Sequence, residues 1–158
     1  VMLGVQESTP PVELATPEQS IEYTQRANMM AHKEENIPSV LPAQGQISRT
    51  FSPEHRGVDI AAPRFSPVIA AASGVIRETG WDSIFGNYVF INHDINYSTF
   101  YGHLQTIAVS KNTNVACGEV IGTVGSTGRS TSPHLHYEIR FQHKPVEPLG
   151  YMPFFVQR

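Results

Sequence analysis

His134-Leu135-His136-Tyr137-Glu138-Ile139-Arg140-Phe141 alternates polar and apolar residues without a break. In a strand, successive side chains point to opposite faces. Leu135, Tyr137, Ile139 and Phe141 then make one apolar face, and His134, His136, Glu138 and Arg140 make the other. The stretch predicts a strand that rests one side on a core and presents two imidazoles side by side on its open side. Two ligand-type side chains two residues apart on a strand approach a common point from the same direction, which suits a metal ion. The competing reading is a solvated face that carries two histidines by chance.

Working outward, the chain from about Val40 keeps the same habit. Short runs with β-branched and aromatic residues lie at 46–51, 67–71, 75–78, 87–92, 98–103 and 120–124, separated by Gly, Pro, Asn and Ser. No helical pattern of useful length separates them. The expectation is a mostly β fold with a compact antiparallel sheet. Upstream the composition shifts to Glu, Gln, Thr, Ala and Met. Thr16-Pro17-Glu18-Gln19 reads as a capping box with Pro at the first helical position. The helix it opens is expected to run to about Glu35, before Asn36-Ile37-Pro38 stops it. Its apolar stripe, Tyr23, Ala27, Met30 and Ala31, is thin. Two parts are therefore expected: an N-terminal helical or linker segment over 1–39, and a β domain over 40–158.

Composition narrows the functional classes. A chain of 158 residues is one domain of ordinary size with a short appendage. Only 16% of residues are charged, which argues against disorder and against a coiled coil. Eleven Lys and Arg against 14 Asp and Glu leave a net charge of −3 and no basic cluster, so no nucleic-acid partner is expected. The single cysteine, Cys117, excludes an internal disulfide and a multi-thiolate metal site; it is expected to be a small core residue. No apolar run approaches the roughly 18 residues of a membrane span. The chain opens on Val1 rather than Met, which suggests a processed or excised piece.

The histidines carry the chemistry. In His55-Arg56-Gly57-Val58-Asp59, the glycine favours a turn that enters a strand, and a turn can bring the imidazole and the carboxylate onto one ion. His103 ends the run 98–103. With His134 and His136, the chain offers four imidazoles and one carboxylate at turns and strand ends. A zinc hydrolase needs three protein ligands, an open position for water, a group that moves a proton and a group that stabilises an oxyanion. Five residues match that count, and spacing alone does not say which histidine does what. His93 reads as a structural histidine, and His32 and His143 as solvated ones. Trp81 and Phe85, in the loop 80–86, either line a groove or pack as a lid. The loop 126–132, rich in Gly, Ser and Thr, leads straight into the histidine strand and is expected to border a binding groove.

Taken together, His55-Arg56-Gly57-Val58-Asp59, Tyr101-Gly102-His103-Leu104 and Gly125-Ser126-Thr127-Gly128-Arg129-Ser130-Thr131-Ser132-Pro133-His134-Leu135-His136 resemble the lysostaphin/LytM-type zinc metallopeptidases. The likeness covers about residues 40–152. It implies a groove on the antiparallel sheet, a Zn²⁺ cofactor held by His55, Asp59 and His136, and catalytic roles for His103 and His134. It implies hydrolysis of peptide stems or cross-links in bacterial peptidoglycan, outside the cytoplasm, in the periplasm, the cell envelope or the secreted fraction. Asn87, Ser130, Thr131 and Ser132 become candidate substrate-binding residues. Some relatives have lost ligands and activate other wall enzymes without hydrolysis, so a cell-envelope protein partner belongs to the alternative reading. Here all five positions are filled. Phe65 and Ser132 stand where the family usually has glycine, and the Phe-Gly-x-Arg feature ahead of His55 is missing.

Overall fold

The computed structural model describes residues 16–21 and 36–152. The chain divides into two units, residues 1–34 and 35–158. In the first, residues 17–21 are helical. The capping box is formed: Gln19 N donates to Thr16 Oγ1 at 3.1 Å, and Thr16 N donates to Gln19 Oε1 at 3.0 Å. The expected continuation to Glu35, with its apolar stripe and His32, lies outside the described residues.

The second unit is a mostly β, antiparallel structure. Its strands are β1 (Gln46–Arg49), β2 (Val58–Ala61), β3 (Pro67–Ile69), β4 (Gly74–Asp82), β5 (Gly86–Asn92), β6 (Tyr97–Ile107), β7 (Asn114–Val115), β8 (Val120–Val124), β9 (His134–Phe141) and β10 (Lys144–Val146). Only a 3₁₀ turn at Pro148–Tyr151 is helical here among the described residues. The main path runs β1-β2-β9-β6-β5-β4-β7, with β10 on β9, β8 on β6 and β3 on β8, and every pairing is antiparallel. Among the described residues, no helix is long and apolar enough to cross a membrane.

Alternation builds the core. Val58 and Ile60 from β2, Leu135, Tyr137 and Ile139 from β9, Tyr101 from β6, and Val89 and Ile91 from β5 are all fully buried. Each apolar side chain so buried contributes about 1.5–3 kcal/mol. Most polar groups inside are paired, but the Tyr137 hydroxyl is buried without a hydrogen-bond partner among the described residues. Tyr101 Oη accepts from Ala71 N at 3.0 Å and lies 2.8 Å from Thr99 Oγ1. His93 is buried, with Nδ1 donating to Ser73 O at 2.8 Å and Nε2 at 2.7 Å from Thr99 Oγ1. Burial pushes its pKa below the ordinary 6.5. His93 is thus structural, as expected, while His143 is an exposed turn residue. Gln142 and His143, at φ 52° and 71°, close the two-residue β9–β10 hairpin.

Cys117 departs from expectation. It is exposed, in the turn between β7 and β8, where its N–H donates to Ser73 Oγ at 2.9 Å. The run Val115-Ala116-Cys117 is apolar, but the turn that Gly118 closes at φ 88° leaves the residue exposed, with its thiol 3.8 Å from Ala71 O.

The strand β6 deserves its length. Residues 97–102 pair with β9, and residues 104–107 pair with β8. The change of partner falls at His103, which adopts a left-handed φ of 63°. A non-glycine residue in that region is strained, and such strain concentrates at functional sites.

Candidate metal centre and its groove

Strand register assembles the site. Asp59 on β2 faces His136 on β9, and His136 faces Gly102 on β6. His134 lies two residues along β9, opposite Ala61. His103 follows Gly102. His55 comes from the tight turn before β2, where Ser52 and His55 exchange backbone hydrogen bonds at 2.9 and 3.0 Å. That turn lies against β9 only because residue 57 is glycine: a Cβ there would sit 2.3 Å from Tyr137 O.

Each imidazole is held by one nitrogen and offers the other to the centre. His55 Nδ1 donates to Thr50 O at 3.1 Å, and its Nε2 lies 3.1 Å from Asp59 Oδ1. His103 Nδ1 donates to Thr127 O at 2.7 Å. His134 Nδ1 lies 3.0 Å from Ser132 O and 3.1 Å from Ser130 Oγ, with Nε2 at 3.7 Å from Asp59 Oδ2. His136 Nδ1 lies 2.9 Å from Asp59 Oδ1, and its Nε2 2.9 Å from Glu138 Oε2. A carbonyl only accepts, so His55, His103 and His134 carry a proton on Nδ1 and turn Nε2 inward. The rings of His103 and His134 are 4.6 Å apart, and those of His55 and His136 are 5.0 Å apart.

His55, Asp59 and His136 each bring a ligand atom within 4.8 Å of the others. Ligands on a tetrahedral zinc stand about 3.3 Å apart, given Zn–N near 2.0–2.1 Å. The two imidazole-to-Oδ1 distances of 3.1 and 2.9 Å are close to that spacing. Two neutral nitrogens and one anionic oxygen form a donor set that suits Zn²⁺.

The electrostatics follow from burial and pairing. Burial pushes Asp59 up, but the His136 hydrogen bond and the charges of His136, His134 and His55 outweigh it, so its pKa lies below 3.8. Burial pushes His136 down, and the hydrogen bonds to Asp59 and Glu138 outweigh that, so it lies above 6.5. Glu138 is raised by burial and lowered further by His136 and Arg140, ending below 4.5. Burial holds His103 below 6.5 despite the Thr127 carbonyl, so its ring is neutral at pH 7.

One correction concerns the face itself. The polar side of β9 is not open. Glu138 is 1% exposed and His136 is buried, and the Phe85 ring, from the turn between β4 and β5, packs on His136. Its ring is 4.8 Å from that of His136 and 5.1 Å from that of Phe100. Gly102 leaves it room: a Cβ there would meet Phe100 and Phe85 at 3.2 and 3.3 Å. Asp82 shapes the turn, accepting from Ile84 N at 2.7 Å and Phe85 N at 3.0 Å. Trp81, by contrast, is 62% exposed. The loop 126–132 is fastened to the same turn through Arg129 N to Ile84 O at 2.8 Å and Asn87 N to Thr127 Oγ1 at 3.1 Å.

The remaining candidates sit around this centre in different ways. Asn87 spends its amide on Leu104 O and Gln105 O, at 3.1 and 3.4 Å. Ser130 Oγ bonds Ser132 O at 2.8 Å and reaches His134. Thr131 and Ser132 are exposed. Pattern alone assigns Glu138 no role beyond membership of a polar face, and marks neither carbonyl of Thr50 and Thr127. For Glu138 a signal was present: in a strand, residue 138 must stand beside His136.

The description "Peptidase family M23" matches residues 53–148. The chain is 50% identical over 96 residues to the DD-carboxypeptidase/endopeptidase Mpg of Neisseria meningitidis, covering 61% of this chain and 22% of that protein. It is 37% identical over 117 residues to the murein hydrolase activator NlpD of Escherichia coli, covering 71% of this chain and 30% of the other. A zinc containing peptidase from Vibrio cholerae superposes with a TM-score of 0.65 at 35% identity, covering 71% of this chain and 38% of that one. The chain spans less than a third of the length of either curated relative.

Proposed function

The chain belongs to peptidase family M23, and on that premise we propose that it is a zinc-dependent endopeptidase hydrolysing peptide bonds in bacterial peptidoglycan stems or cross-links, outside the cytoplasm. The observation that carries this reading is the convergence of His55, Asp59 and His136 beside two further inward-facing imidazoles.

His55 Nε2, an Asp59 carboxylate oxygen and His136 Nδ1 would hold the ion. When bound there, Zn²⁺ supplies Lewis acidity to the scissile carbonyl and makes water acidic enough to ionise near neutral pH. His103, neutral with its proton on Nδ1, keeps a lone pair on Nε2 and is suited to accept a proton from water and pass it to the leaving amine. His134, with Nδ1 held by Ser132 O and Nε2 3.7 Å from Asp59 Oδ2, would donate to the oxyanion in its doubly protonated form. Phe85 shields one side of the centre from water. Thr131 and Ser132, both exposed, would meet a peptide, while Asn87 and Ser130 would act through the loop and through His134.

Mass spectrometry of muropeptides after incubation with the zinc-loaded protein tests the reading. New peptide-cleaved fragments are expected, and none with zinc bound would refute it. The NlpD similarity favours a second reading, a non-hydrolytic activator of another wall enzyme in the cell envelope. It predicts no fragments from the protein alone and faster release when a wall hydrolase is added.

A further inference from the structure

We propose that Glu138 is a positioning residue for His136: it accepts the hydrogen bond from Nε2–H and thereby commits the Nδ1 lone pair to the metal. The inference rests on the reading of His136 as a ligand. Glu138 Oε2 is 2.9 Å from His136 Nε2, while His136 Nδ1 is the nitrogen that faces Asp59. The carboxylate is 1% exposed, so water does not replace it as a partner. Its other oxygen is already occupied. Oε1 accepts from Arg140 Nε at 3.1 Å and from Arg140 Nη2 at 2.7 Å. Arg140 is itself fixed, its guanidinium 4.9 Å from the Phe90 ring centre and 5.9 Å from that of Phe100. An unbroken line thus runs from the aromatic floor through Arg140 and Glu138 to the ligand ring. A metal-bound histidine commonly donates its second N–H to a carboxylate, which fixes tautomer and orientation.

The two oxygens of Glu138 have different jobs, and this makes an isosteric substitution informative. In Glu138→Gln the amide oxygen stays with Arg140, which offers only donors. The amide NH₂ then faces His136 Nε2 and selects the tautomer with the proton on Nδ1, the nitrogen needed for the ion. Zinc affinity should fall about 10–100-fold. In Glu138→Gln/Arg140→Leu the amide is free to turn and accept from Nε2, so affinity should recover by about tenfold relative to the single variant.

The test is zinc binding to the full chain by chelator competition, with unfolding of the metal-free protein recorded alongside. Ile76→Val serves as a control that loses core packing without touching the site. Weakened binding in Glu138→Gln, recovery in the double variant and unchanged binding in Ile76→Val are expected. Wild-type affinity in Glu138→Gln, or equal weakening in Ile76→Val, would overturn the inference. Should Glu138→Gln fail to fold, Glu138→Asp draws the carboxylate back from Nε2 by one methylene; weakened zinc binding is expected there, and unchanged affinity overturns the inference equally. A wild-type chain that takes up no zinc refutes the ligand reading itself, a result distinct from any of these.

Discussion

The two sides of β9 leave water together and are stabilised in opposite ways. On one side, Leu135, Tyr137 and Ile139 join Val58, Ile60 and Tyr101, and burial itself is favourable. On the other, His136 and Glu138 are as well buried, and burial there is a cost unless each polar atom finds a partner. They do: Asp59, Glu138 and Arg140 form one connected series with His136. The difference teaches where each side is fragile. The apolar side depends on volume, and the polar side on which atom donates and which accepts.

Substitutions can break that contrast. The largest effect is expected at His103, whose removal to alanine should lower turnover on the order of 10³-fold, about 4 kcal/mol of barrier, with zinc content and unfolding midpoint nearly unchanged. Wild-type turnover in folded, zinc-loaded His103→Ala protein would take the ring out of the chemistry. Leu135→Ala attacks the other side. It should cost about 3 kcal/mol in urea unfolding while turnover per folded molecule persists. A cost under about 1 kcal/mol would mean the apolar side tolerates a void.

His93 sharpens the contrast by placing an imidazole inside the core. The unfolded chain binds a proton there near pH 6.5, and the buried ring resists it. Its contribution to stability is therefore complete above about pH 6.5 and is lost as pH falls below that value. The difference in stability between wild type and His93→Gln, followed from pH 7.5 to 5, should shrink on acidification; a constant difference would show that His93 titrates normally. The smallest effect is expected at Phe65, 59% exposed at φ 74°. Phe65→Gly should raise stability by roughly 1 kcal/mol by relieving a left-handed backbone. A lower melting temperature would mean the ring is packing usefully.

Local pattern made β9 legible. Period-2 alternation needs only neighbouring residues, and 134–141 was read with the bounds the strand has. The same holds for β8. The strand β7 has two residues, too few to show any period, and β10 carries Pro145, which blunts a strand signal. The five candidate side chains were visible as residue types, but their meeting depends on pairing between segments some 77 positions apart, such as Asp59 and His136. Thr50 and Thr127 contribute backbone carbonyls, which every residue has and no pattern marks. Burial of His136 leaves no mark in the local pattern, because the ring that packs on it, Phe85, comes from a distant turn.

The row Asp59–His136–Gly102 crosses three strands at a single level. A slip of β9 by one position would swap its sides, setting leucine and tyrosine where the imidazoles belong. A chain that has mispaired therefore scatters the gathered donor set together with the core it rests on.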